Sequence, residues 1–475
     1  MQSIFQGQDP VDGPIDLYEA MARALKYNLD YRVKLMEKAI ARQQLRSSYY
    51  DMLPELTAKA GYTHRNNFAG GLSKNLFTGA VGTDPTASQE RDRRTADLSL
   101  TWNILDFGLS FYQAKQQGNN VLIAHEQKRK AIQNIMQEVR FAYWRAVSAD
   151  RLIGDIETLK KEVEVALSRA RSVEKERVDS PLKALNYQRN MLEILKNLNN
   201  LRRNLSFAKA ELASLMNLRP GEKFVLADTK KEVYAYNDLK VTPTILEKLA
   251  LINRPELREE DYKYRNNGYE ITKAWLELLP GISINTGFHY DSNFFTLNNH
   301  WRTALVEASL DVFQLIRGPV TNELLKRQGK LIEAQRLSMS MAVITQVHIA
   351  YQRFKMSKED FVLAKQMKNV SQRIFQQVKN REKTEADDEQ QVILSSANAL
   401  IGRMQKEVAY AELQNALGTI YFSVGLDPVP HHVKSHKIDD LATALRTHLG
   451  KWKKQEFFEN LSQRLTATKE IPTKK

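Results

Sequence analysis

The chain contains no cysteine. Disulfides, thiolate metal sites, thiol nucleophiles and an N-terminal lipid-modified cysteine are therefore excluded, a composition compatible with an oxidising envelope compartment. Long hydrophobic runs are missing too. Nothing approaches the roughly 18 consecutive apolar residues of a membrane-spanning helix, which leaves β-strands as the one way across a bilayer. Aromatic residues make up only 9% of the 475 residues against 27% charged ones, so much of the surface must be wet. The opening residues, MQSIFQG, carry neither a basic stretch nor an apolar core. Either a signal peptide has been removed or the protein was never exported.

Enzyme signatures are absent as well. No HExxH, P-loop, GxGxxG or GxSxG pattern occurs, and the nine histidines are scattered. His431, His432 and His436 read as part of a hinge rather than a metal site, and nothing marks a cleft around Asp387 and Asp388. No enzymatic activity, cofactor or metal is expected. The net charge of +14 invites a nucleic-acid partner. Against that, Lys and Arg are interleaved with Glu, as in Lys160, Lys161, Glu162 and Glu164, which is the pattern of a solvated helical face. No nucleic-acid partner is expected.

What the chain does contain is a repeat at an offset of 226 residues. Leu25 matches Leu251, Asp30 matches Glu256, Leu53 and Pro54 match Leu279 and Pro280, and Gly61 and Tyr62 match Gly287 and Phe288. Each copy reads as an amphipathic helix, a Leu-Pro break, two alternating strands around a loop, and a long proline-free stretch. No proline lies between Pro85 and Pro181 or between Pro319 and Pro428, so long helices can run there. Ile132, Ile135, Met136, Val139, Tyr143 and Ala146 recur at helical spacing in the first stretch. Leu337, Met341, Ile344, Val347, Tyr351 and Phe354 do so in the second. A helix over most of either stretch would be on the order of 100 Å long, which requires other long helices beside it.

The expected organisation has three parts. Residues 1–230 form a first repeat, with strands near 56–65 and 95–105 and helices near 109–175 and 182–217. Residues 231–430 form a second, with strands near 281–291 and 302–313 and helices near 319–380 and 386–424. Residues 431–475 form a C-terminal amphipathic extension, with apolar positions at Leu441, Leu445, Leu449 and Trp452.

In the second strand Ala96, Leu98, Leu100, Trp102 and Ile104 alternate completely with Asp97, Ser99, Thr101 and Asn103. Strands of about ten residues suit a tilted bilayer crossing, and Tyr62, Trp102 and Trp301 are placed to serve as membrane-interface aromatics. Four strands cannot close a barrel, and an open apolar edge invites aggregation. The chain should therefore pool strands from several copies, as an eight-stranded dimer or a twelve-stranded trimer. Arg65–Arg94 and Asp291–Asn299 are the loops at one end of the strands.

On these words the chain resembles the TolC-like outer-membrane efflux and secretion channels. The resemblance runs from about Ile15 to Pro428. It rests on the early helix Ile15–Asn28, the LPEL of Leu53–Leu56, SLTWNILDFG at Ser99–Gly108, NNHW at Asn298–Trp301, SLDVFQLIRGP at Ser309–Pro319, and QNALG at Gln414–Gly418.

The resemblance implies a mixed α and β membrane protein. A homotrimer would form a 12-stranded β-barrel in the bacterial outer membrane, continuing into a 12-helix periplasmic α-barrel. It implies a passive exit duct of a tripartite efflux pump or type I secretion system, carrying drugs, small molecules or proteins. A periplasmic adaptor, an inner-membrane pump or ABC transporter, and outer-membrane lipid are the implied partners. An equatorial collar would use the 220–241 connector and the tail beyond 430. It further implies a periplasmic tip constricted by Asp387, Asp388 and Glu385 and held shut by contacts of Arg381, Lys383 and Asp179. The tips depart from the family in being strongly charged and lacking Gly, so the adaptor surface is charged to match or the docking mode differs. The competing expectation is a non-membrane helical scaffold, which explains the helical periodicity and charge but not four matched strands.

Overall fold

A computed structural model describes residues 7–176, 181–219, 221–227, 234, 236, 241–382, 389–430, 433, 435, 437–452, 457, 458 and 460. The structure is mostly helical, with one four-stranded and one small two-stranded sheet among the described residues. It divides into two compact units, one made of 38–124 and 260–335, the other of the remaining segments.

Early helices α1 (Leu17–Tyr27) and α2 (Leu29–Tyr50) have counterparts α6 (Pro243–Asn253) and α7 (Pro255–Leu276), with matching lengths of 11 and 22 residues at the 226-residue offset. Asp16 caps α1, its Oδ1 accepting from the Glu19 N–H at 2.8 Å. The long helices are α3 (Ile104–Glu176, 73 residues) and α8 (Val312–Glu382, 71 residues). α3 starts five residues before the expected position and α8 seven. Each follows its strand almost without a loop, because an Asx side chain starts it. Asn103 Oδ1 accepts from the N–H of Leu105 at 3.0 Å, and Asp311 Oδ1 from that of Phe313 at 2.9 Å. Pro319 consequently lies inside α8.

The first return is two helices, α4 (Pro181–Ser206) and α5 (Ala208–Leu215), interrupted at the exposed Phe207, whereas the second is continuous as α9 (Glu389–Ser423). Both returns end in the same cap. A left-handed residue, Asn217 (φ 57) or Gly425 (φ 77), is followed by a leucine whose N–H bonds five residues back, Leu218 to Ala213 and Leu426 to Tyr421.

In the helical unit the expected α3 stripe of Ile132, Ile135, Met136, Val139, Tyr143 and Ala146 is entirely buried. The α8 stripe divides. Val347 and Phe354 are buried, but Leu337 is 63% and Met341 65% exposed, so one chain covers only part of it. Glu407 on α9 accepts from Arg151 Nη1 on α3 at 2.8 Å and from the Tyr234 hydroxyl, tying that connector residue to the bundle. α10 (Ile438–Trp452) lies on α1 with Leu441, Leu445, Leu449 and Trp452 buried, and Arg446 pairs with Asp16.

In the other unit, strands β1 (Glu55–His64), β4 (Asp92–Asn103), β5 (Gly281–Asp291) and β6 (His300–Ser309) form an antiparallel sheet in the order β1-β4-β5-β6. The 65–91 loop holds a small hairpin, β2 (Ala69–Gly71) with β3 (Thr86–Gln89). Buried Asn293 joins the two loops, donating to the Ser88 carbonyl and accepting from the Glu90 N–H, both at 3.1 Å. Below the sheet, side-chain amides hold α3 to α7. Asn119 donates to Asn266 at 2.8 Å, and Asn266 donates to Asn120 at 3.0 Å.

Candidate functional site

The sheet has two chemically opposite faces, because alternate residues of a strand point to opposite sides. Cross-strand register sorts them. One face carries Leu56 with Leu100, Leu98 with Phe288, Trp102 with Ile284 and Val306, and Ala96 with Tyr290. The other carries Thr57 with Ser99, Thr101 with Asn285, Asn103 with Ser283 and Glu307, and Lys59 with Asp97 and His289.

Exposure is the reverse of what a water-soluble sheet requires. Along β4 Leu98, Leu100 and Trp102 are exposed, as are Ala96, Arg94 and Asp92 beyond them, while Asp97, Ser99, Thr101 and Asn103 are half-buried. β5 repeats this, with Ile282, Ile284, Phe288 and Tyr290 exposed and Asp291 buried. A sheet in water puts its apolar face on the core and its polar face outward. In its two central strands this sheet shelters polar groups and presents hydrocarbon.

The polar face contains a preorganised cluster. Lys59, Asp97, His289 and Trp301 form one row across all four strands. His289 Nδ1 lies 2.6 Å from Asp97 Oδ1, and its Nε2 lies 2.8 Å from Thr303 Oγ1. A carboxylate only accepts, so Nδ1–H donates to Asp97, and Nε2 hydrogen-bonds the Thr303 hydroxyl. The Trp301 indole stacks on this fixed imidazole at 5.4 Å between ring centres and 20° between planes. Gly287 makes the room, since a Cβ there would stand 2.8 Å from His289 Nε2. The row borders a cavity of about 690 Å³. Farther along the same face Arg93 Nε donates to both Asp291 carboxylate oxygens at 2.9 Å.

The expected interface aromatics separate. Tyr62 and Trp102 lie on the apolar face near opposite ends of the sheet. The Tyr62 hydroxyl donates to Asp92 at 2.6 Å, and Trp102 meets Phe107 edge-on at 6.0 Å. Trp301 points to the polar face. Its parity with Thr303 and Glu307 in β6 was the available signal, whereas the Asp97–His289–Thr303 arrangement joins three strands and needs the register. Of the expected tip residues, Arg381 is exposed in the last turn of α8. Asp387, Asp388, Glu385, Lys383 and Asp179 lie outside the described residues. Among the described residues no helix is long and apolar enough to cross a membrane.

No family model and no curated protein matches the sequence. Solved structures do match. The channel protein CusC aligns with a TM-score of 0.64 at 17% identity, over 89% of this chain and 96% of that one. The outer-membrane channel OprN gives 0.64 at 16%, over 86% and 89%. The open state of the MtrE outer-membrane channel of Neisseria gonorrhoeae gives 0.62 at 17%, over 85% and 88%. The fold is thus shared with these proteins almost end to end, and the chain has the fold of the TolC-like outer-membrane channels.

Proposed function

We propose that the protein is a passive exit duct of the bacterial outer membrane, belonging to the TolC-like family and working in a tripartite efflux or type I secretion assembly. The observation that carries this is the inverted sheet, with hydrocarbon exposed on one face and a polar wall sheltered on the other.

Closure follows from the edges. β1 and β6 end the sheet and are exposed almost throughout, so both offer unpaired backbone groups. In hydrocarbon such groups must be paired, which only a closed barrel achieves. Pairing β6 of one copy with β1 of the next closes the ring, and the family resemblance favours three copies and twelve strands. The uncovered Leu337 and Met341 on α8, with Met356, Leu363 and Met367 farther along, supply the apolar surface on which neighbouring copies would pack in the periplasm.

In this assembly Asp387, Asp388 and Glu385 from each copy ring the periplasmic tip and favour cations. Arg381, Lys383 and Asp179 tie neighbouring hairpins shut. A periplasmic adaptor docks there and an inner-membrane pump or ABC transporter drives the cargo. Cell fractionation followed by a planar-bilayer measurement tests the proposal. The expected result is a detergent-extracted assembly of three copies that conducts ions. A stable monomer in the aqueous fraction, with no conductance, overturns it.

A further inference from the structure

The apolar face is not uniform from end to end. Beginning at the helix junctions, its rows are Ile282 with Ala308, then Trp102 with Ile284 and Val306, then Leu56, Leu100, Thr286 and Ala304. None carries a charge. The next rows do. Arg302 joins Leu98 and Phe288, His300 joins Ala96 and Tyr290, Arg94 stands beside Tyr62, and His64 beside Asp92. The first charged row lies about 20 Å along the strand from Ile282, at 3.4 Å per residue.

The cations here differ from Arg93 on the polar face in their partners. Arg93 points inward and is neutralised by Asp291. Its neighbour Arg94 points outward, and among the described residues no carboxylate pairs with it or with Arg302. The one acid on the outward end of this face, Asp92, is already engaged, accepting from the Tyr62 hydroxyl at 2.6 Å and bonding His64 Nδ1 at 2.8 Å. Arg302 lays its guanidinium over the Phe288 ring, 5.0 Å from the centre, which steers the charge along the wall instead of into it. Two permanent cations at the edge of a hydrocarbon surface, with no carboxylate partner among the described residues, call for an anion from outside the chain.

We propose that Arg94 and Arg302 bind phosphate groups of lipid headgroups in the outer leaflet, anchoring the barrel at a fixed depth. The proposal rests on the barrel assignment above. In that setting the strand ends joined by the 65–91 and 292–299 loops are the outward ones. Guanidinium matches phosphate through paired N–H donors, and Tyr62 and Tyr290 supply the amphipathic rings that sit at the same level. Three copies place six guanidinium groups around the circumference.

The test uses the intact channel in phosphatidylcholine vesicles, with bis-phosphorylated lipid A added in one arm and dephosphorylated lipid A in another. A third arm adds free inorganic phosphate alone. The readout is the temperature at which the folded barrel loses its heat-shifted electrophoretic mobility. Phosphorylated lipid A should raise that temperature by roughly 2 °C, about 1 °C for each of the two arginines of a copy, and neither other arm should. The double variant R94Q/R302Q should lose most of the rise, while K59Q, on the polar face, should keep it. An equal rise in R94Q/R302Q, no rise in the wild type, or the same rise with free phosphate overturns the proposal. Conductance recorded from the same preparations separates the two claims. Conduction without headgroup dependence sinks the anchoring alone, and no conduction in any lipid sinks the duct.

Discussion

Leu100 and Ser99 are neighbours on β4 with opposite orientations, so a lysine placed at one or the other reports the solvent each face meets. Leu100 stands in the uncharged part of the apolar face, 36% exposed, opposite Leu56 and Thr286. If that face meets lipid, Leu100→Lys places an ammonium near the hydrocarbon midplane at a cost of roughly 2–4 kcal/mol per copy. If it meets water, the same change at an exposed site costs within about 0.5 kcal/mol. Ser99 is half-buried between Thr57 and Gly287 on the polar face. A wet lumen tolerates a lysine there within about 1 kcal/mol, since its amine reaches water. The two substitutions therefore rank in opposite orders for a barrel and for a soluble sheet. Guanidinium titration of folding into phosphatidylcholine vesicles, read by heat-shifted mobility, measures both. A Leu100→Lys protein that folds as well as the wild type, or better than Ser99→Lys, refutes the lipid-facing assignment.

Three further outcomes are expected. Gly425 takes φ 77, and a Cβ there would lie 2.7 Å from the Asn253 backbone carbon, so Gly425→Ala should destabilise the helical unit by about 1–3 kcal/mol in chemical denaturation; an unchanged midpoint contradicts the cap. Burial holds the Tyr421 hydroxyl up at about 12, in spite of the nearby cation of Arg140. The unfolded chain ionises this group near pH 10 and the folded one does not, so its contribution is intact below pH 10 and erodes between pH 10 and about 12. Tyr421→Phe should show a shallower loss of stability across that window by circular dichroism, and identical pH profiles would contradict the burial. Asp387→Ala with Asp388→Ala should weaken cation preference in a planar bilayer, and unchanged reversal potentials would remove the tip ring.

Much of the architecture was legible because its signals are local. Proline spacing located the long helices, the Leu-Pro words marked where helix gives way to strand, and strict alternation marked β4. Asn103 and Asp311 show how near the signal lay to the true helix starts. Both are capping residues, and reading them as such places the starts of α3 and α8 within one residue. Trp301 shows a different limit. An aromatic on the apolar face and one on the polar face have the same composition, and only strand parity separates them.

Sequence alone determined the doubled order of elements and the alternation that makes one side of each strand greasy, since both depend on residues a few positions apart. Tertiary structure decided which side is sheltered, because exposure depends on how four strands from distant parts of the chain curve around one another. It also decided that Asp97, His289, Thr303 and Trp301 meet, and that Arg93 finds an acid while, among the described residues, Arg94 does not. The Asp97–His289 and Arg93–Asp291 pairings are set by cross-strand register, which joins residues roughly 200 positions apart and leaves no mark in either segment by itself.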